Sequence, residues 1–164
     1  MKNKKLEGPR LKRHLVKLSK QTKILTLGEY KHHRDTSCFM HSIAVAYYSM
    51  RLVERLNINC DMESLIVGAL LHDYFLYDWH IPSKTHRLHG FTHPKKALYN
   101  AKQDWPLNQI EKDIIEKHMF PLTLVPPMYK ESLIVCLMDK YCATLEIIKK
   151  DPYQRLKDIY AFKR

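Results

Sequence analysis

The chain has 164 residues, 45% of them apolar and 27% charged, which is enough to bury one substantial core and short for two. No uncharged run approaches the roughly 20 residues of a membrane-spanning helix, and the basic Met1–Lys5 leads into Leu6-Glu7-Gly8-Pro9-Arg10 rather than an apolar segment, so no signal peptide and a cytoplasmic location are expected. The formal charge of +11 is concentrated at one end: residues 1–34 hold 11 Lys or Arg against Glu7 and Glu29, whereas residues 35–164 hold 17 against 15 acids, so the body is nearly neutral.

Residues 1–34 are expected to form a basic arm or helix packed on the rest of the chain. Leu11, Leu15 and Leu18 fall at helical spacing and face inward, while Lys12, Arg13, Lys17 and Lys20 face water. Tyr30 is the only aromatic residue there and no nucleic-acid-binding motif appears, so a solvated helix face is preferred to a nucleic-acid contact through this arm.

Residues 35–164 divide at their caps and prolines into further helices, and only 4 glycines interrupt the whole chain. Thr36 or Ser37 caps a helix running to about Leu56 that carries no formal charge from Cys38 through Met50. Asp61 opens a second, whose uncharged Ser64–Leu71 stretch leads into His72. Thr92 or His93, just before Pro94, starts a third, because proline suits a first helical turn. Gly90 and Pro94 argue against one continuous helix carrying both His89 and His93. Asn108 and Glu111 form a capping pair for a fourth helix ending near His118. Pro121, Pro126 and Pro127 hold a loop before Glu131 to about Lys149, and Asp151 with Pro152 opens a last helix. The fold class is therefore all-α, a single compact helical bundle. Cys38, Cys60, Cys136 and Cys142 form no close pairs, which suits reduced packing thiols.

The most apolar helical segments each deliver ionisable groups: His41 inside one, His72 and Asp73 at the end of the next, Asp139 inside another. A carboxylate carried into a core costs several kcal/mol, of order, unless it is paired or bound to a cation. Apart from Lys140 beside it, Asp139 has no Lys or Arg within its apolar stretch, so a metal ion is the natural partner. Mixed imidazole and carboxylate ligands suit Mn, Fe, Co, Ni or Zn rather than Ca.

In the order Met40-His41-Ser42, Ala69-Leu70-Leu71-His72-Asp73 and Leu137-Met138-Asp139-Lys140, the chain resembles the HD superfamily of metal-dependent phosphohydrolases from roughly Thr36 to Lys140. Thr92-His93-Pro94-Lys95-Lys96-Ala97 and Ile114-Ile115-Glu116-Lys117-His118 resemble the segments that supply further histidines in some members. Lys96 stands where a glycine is frequent, and His118 is followed by Met119 rather than a second histidine. The resemblance implies an all-helical HD domain that holds one or two divalent transition-metal ions on His41, His72, Asp73, His93, His118 and Asp139. It implies hydrolysis of a phosphoester, in a nucleotide or a small phosphorylated metabolite, by a metal-activated water, with Asp73 central. Asp78 is a candidate general base, or equally the cap of a turn. His33, ahead of the His41 helix, is the best placed of the remaining histidines to touch substrate, and His32, His80 and His86 default to surface or loop roles. Lys84, Arg87, His89, Lys95, Lys96 and Lys140 are further candidates for substrate contact. Two other readings stand beside the hydrolase: an HD-type di-iron oxygenase using the same six ligands, and a non-catalytic nucleotide-binding module.

Overall fold

The structure is a computed structural model and describes residues 7–81 and 88–160. Among these it contains seven α-helices, α1 (Glu7–Gln21), α2 (Cys38–Leu56), α3 (Met62–Leu71), α4 (His89–Asp104), α5 (Gln109–Lys117), α6 (Lys130–Ile148) and α7 (Gln154–Tyr160), with a short 3-10 helix over Ile24–Gly28. The protein is all-α, and among the described residues a single backbone bridge joins Lys31 and Ser37 just ahead of α2. No helix among the described residues is long and apolar enough to cross a membrane.

The caps set the helix starts. The Ser37 side chain accepts from the Met40 amide at α2, and Asp61 accepts from Glu63 and Ser64 at α3. Asn108 and Glu111 form a reciprocal capping box at α5. At the other end of α2, Asn57 takes the left-handed conformation, with φ 51°, that stops a helix.

Because α2 is apolar nearly all round, it lies at the centre and packs against α1, α3, α6, α7 and the 3-10 helix. α5 fills the opposite side, against α3, α4 and α6. The close approach of α3 and α5 depends on Gly68, where an added Cβ would meet Ile114 Cδ1 at 2.5 Å. Both helices end in a histidine, so this contact also brings His72 and His118 to the same end of the bundle. Leu11, Leu15 and Leu18 of α1 are fully buried in the common core, and Arg13 and His14 reach Glu63 on α3 at 3.3 and 2.8 Å. All four cysteines are free thiols.

Two sequence expectations need correction. Helix α4 begins at His89 and runs through Pro94, so His89 and His93 do share one continuous helix. Pro94 lies only six residues into it, where the missing N–H forgoes a single bond to the Gly90 carbonyl and the terminal turn can tilt to admit the ring. The last helix starts at Gln154 rather than Asp151, because Asp151 is left-handed, with φ 53°, and its carboxylate accepts from Lys157 Nζ at 2.6 Å. The 3-10 helix was not foreseen.

Candidate metal centre

His41 enters from the second turn of α2, His72 and Asp73 from the end of α3, His93 from α4, His118 from the end of α5 and Asp139 from the middle of α6. All six are buried. The two oxygens of Asp73 serve different neighbours. Oδ1 lies 3.2 Å from His93 Nε2 and 3.5 Å from His118 Nε2; Oδ2 lies 3.6 Å from His72 Nε2 and 4.0 Å from His41 Nε2. Asp139 Oδ1 closes the second group, 3.0 Å from His41 Nε2 and 3.6 Å from His72 Nε2. Asp73 thus stands between two clusters of potential ligands.

The outer ring nitrogens orient these histidines. His72 Nδ1 donates to the Ala69 carbonyl at 2.8 Å, His93 Nδ1 to the His89 carbonyl at 2.9 Å and His118 Nδ1 to the Ile115 carbonyl at 2.9 Å. A carbonyl only accepts, so each of these Nδ1 atoms carries the hydrogen, and in the neutral ring the inward Nε2 is a bare lone pair. His41 follows the same pattern with Glu146 Oε1 as its acceptor, at 2.8 Å.

A divalent ion fits this donor set on three observations. First, His93 Nε2 and His118 Nε2 face one another at 2.8 Å, where two lone pairs repel unless a cation or a proton lies between them. Second, His72 Nε2 is fully buried with no hydrogen-bond partner, a loss rarely left uncompensated in a protein interior. Third, atoms that each ligate one ion at about 2.1 Å stand roughly 3.0–3.4 Å apart, and the separations quoted above lie at 2.8–3.6 Å except that of His41 Nε2 from Asp73 Oδ2, which is 4.0 Å. Imidazole with carboxylate suits a first-row transition metal.

The charge balance agrees. Burial works against the charged forms of Asp73 and Asp139, yet surrounding histidines hold both carboxyls well below the usual range. Glu146 is likewise lowered to about 2, chiefly by His41 and His32 working against burial. Burial alone would lower His41, but Glu146 and Asp139 raise it to about 10. His118 falls to about 3 through burial and the neighbouring His72 and His93. Burial works against the charged form of His72 too, but Asp73 and Asp139 raise it above its ordinary value, so without a metal the carboxylates favour protons on His41 and His72.

Sequence reasoning missed two members of this cluster. His32, given a surface or loop role by default, stacks on His41 with ring centroids 3.6 Å apart; its Nδ1 meets Glu146 Oε2 at 2.7 Å and its Nε2 stands 3.6 Å from Asp73 Oδ2. Burial and the nearby His41 lower it to about 4. Glu146 lies seven residues after Asp139, two turns along the same face of α6, and that spacing was a usable signal. His32 precedes α2 in a loop, and no periodicity could have placed it.

Beside the cluster opens a cavity of about 670 Å³ lined by Asp73, His93, His118 and Asp139 together with His32, His33, His89, Trp79, Met119, Leu122 and Lys140. His33 stands at its mouth, 6.4 Å from Trp79 between ring centroids. His89 stacks between Trp79 and His93 and bonds through Nδ1 to the Tyr77 hydroxyl at 2.9 Å. Lys140 Nζ donates to the His118 carbonyl at 2.8 Å and lies 3.9 Å from Asp139 Oδ2. The other candidates lie elsewhere. Asp78 is not in the lining; its Oδ1 accepts from the His80 amide at 2.9 Å, capping a turn. Lys95 is exposed on the outer face of α4, and Lys96 Nζ lies over the Tyr77 ring at 4.6 Å from its centroid. Lys84 and Arg87 fall outside the described residues.

The family model for the HD domain matches residues 38–144. That span takes in all six residues named at the start of this subsection and leaves out both His32 and Glu146. No curated protein and no solved structure matches the chain.

Proposed function

The chain belongs to the HD-domain family, and from that premise we propose that it hydrolyses a phosphomonoester at a centre of two divalent transition-metal ions, Mn, Fe, Co, Ni or Zn. The carrying observation is the pair of facing Nε2 atoms of His93 and His118 beside Asp73 Oδ1, matched by His41 and His72 beside Oδ2, with Asp139 Oδ1 against the same two imidazoles. One subsite consists of His41, His72, Asp139 and Asp73; the other consists of His93, His118 and the same Asp73. An ion there supplies Lewis acidity, making water nucleophilic near neutral pH and withdrawing charge from a phosphoryl oxygen.

The remaining work falls to the chain. Glu146 fixes His41, and the backbone carbonyls fix the other three imidazoles, so the Nε2 atoms converge with little freedom. Lys140, the cation in the described cavity lining, stands where a substrate phosphate would lie against Asp139. Trp79, Met119 and Leu122 give the lining an apolar part that suits a planar or apolar leaving group. A nucleoside monophosphate or a small aromatic phosphate fits this division better than a polyphosphate, which would need more cations than the described lining offers.

The test is phosphate release from nucleoside monophosphates and p-nitrophenyl phosphate by protein loaded in turn with each of the five metals. Turnover that falls at least 100-fold in Asp73→Asn supports the reading. Dioxygen uptake by the iron-loaded protein without phosphate release would replace it with the oxygenase, and nucleotide binding without turnover under every metal would leave a binding module.

A further inference from the structure

On the far side of Glu146 from the metal centre lies a second groove, of about 470 Å³, between α2, α6 and the start of α7. Its volume lies within the ~300–1,000 Å³ typical of small-molecule pockets. α2 contributes Tyr48, Arg51 and Arg55, which share one face at intervals of three and four residues; α6 contributes Tyr141, and the last segment contributes Tyr153 and Arg155. Among the described residues no carboxylate lines it. Three arginines thus line one groove, and among the described residues neither Arg55 nor Arg155 has a carboxylate partner.

The walls are aromatic. Tyr48 meets Tyr47 and Tyr141 edge to face, at 5.4 Å between ring centroids in each case, and tilts against Tyr153 at 6.5 Å. Tyr153 is buried behind them, its hydroxyl held by Glu146 Oε1 at 2.9 Å and the Cys142 carbonyl at 3.1 Å. Tyr141 is exposed at the rim. Planar rings accept a stacked heteroaromatic face, and guanidinium groups bind phosphate through paired N–H donors. We propose that this groove is a second ligand site, separate from the metal centre, and that it takes a nucleoside monophosphate with its base on the tyrosines and its phosphate on Arg55 and Arg155. The proposal does not depend on the hydrolase reading: the arginines and the partly exposed tyrosines that would hold the ligand lie outside the metal cluster, which this wall reaches only through the Tyr153 hydroxyl on Glu146.

The experiment is photolabelling of the intact protein with 8-azido-AMP on ice, followed by peptide mapping, with AMP, inorganic phosphate and a single-stranded oligonucleotide as competitors. Labelling should saturate and map to the Tyr47–Arg55 stretch or to Tyr141. AMP should compete at least tenfold better than inorganic phosphate. Arg55→Gln combined with Arg155→Gln should weaken AMP competition at least tenfold without moving the melting temperature, because both side chains are exposed. Label confined to the cavity around Trp79 and His89, label that excess AMP does not displace, or equal competition by phosphate and AMP would each overturn the proposal. Displacement by the oligonucleotide at a tenth of the AMP concentration would also overturn it, in favour of a nucleic-acid surface.

Discussion

Glu146 holds two imidazoles at once, His41 through Oε1 and His32 through Oε2, and accepts the Tyr153 hydroxyl as well. Residues that orient metal-bound histidines typically change affinity by about 10–100-fold when altered, so Glu146→Gln is expected to weaken metal binding by that order while the helices persist. A chelator-competition titration with circular dichroism alongside measures both; unchanged affinity would reduce Glu146 to a core residue. The metal-free protein should also show a defined pH response. His32 and His118, ordinarily near 6.5, are lowered to about 4 and 3. As pH falls below 6.5 the unfolded chain therefore binds protons that the folded one refuses, and stability drops. Glu146, lowered from 4.5 to about 2, adds a further loss as pH falls through that window. His41 has the opposite sign: raised from 6.5 to about 10, its contribution is complete below 6.5 and is lost as pH rises toward 10. Thermal melts of chelator-treated protein should peak near pH 6.5 and decline on both sides, and a melting temperature still climbing at pH 9 would contradict the proton assigned to His41. At this scale His41, the His72–Asp73 doublet and Asp139 were legible because ionisable groups stood out in uncharged helical stretches. His32 was not, because a loop residue's place is decided only when the chain around it folds.

The site is aimed by the ends of helices. α3 and α5 each finish on a ligand, and Gly68 lets them approach until those ligands meet. Gly68→Ala would put a methyl group 2.5 Å from Ile114 Cδ1, and overpacking of this kind costs about 1–3 kcal/mol. Urea unfolding should register that loss together with weaker metal binding, since widening this contact draws His72 away from His118. Full stability in Gly68→Ala would mean that the two helices can separate freely. Helix starts at Ser37, Asp61 and Asn108 were readable because side-chain caps announce them. The start of α4 was misread by giving Pro94 the weight it carries in a helix interior. One turn from the helix start that penalty is small, and it leaves His89 free to stack on His93 and offer its carbonyl to His93 Nδ1.

Over the whole molecule, the basic end and the neutral body share one core. Leu11, Leu15 and Leu18 are completely buried, and the Tyr74 hydroxyl accepts from the Lys23 amide at 2.6 Å while donating to Asp104 at 2.7 Å. Leu15→Ala is expected to cost about 2–5 kcal/mol in a single unfolding transition shared by the site; a separate early transition for the N-terminal segment would contradict that coupling. Much of the excess positive charge is solvated on the outer face of α1, where Arg10 and Arg13 meet Glu63 and Lys17 lies over Trp105 at 5.0 Å from its centroid. The all-helical class followed from composition and periodicity, whereas the convergence of five helices and a loop on Asp73 depends on packing that no single segment encodes. The most direct test of that convergence is the metal content of extensively dialysed protein, wild type beside Asp73→Ala, by elemental mass spectrometry. Two transition-metal equivalents in the wild type, with most of both lost from a variant that keeps its helical content, is the predicted result. No metal in either protein after reconstitution with Mn, Fe, Co, Ni and Zn would contradict the account.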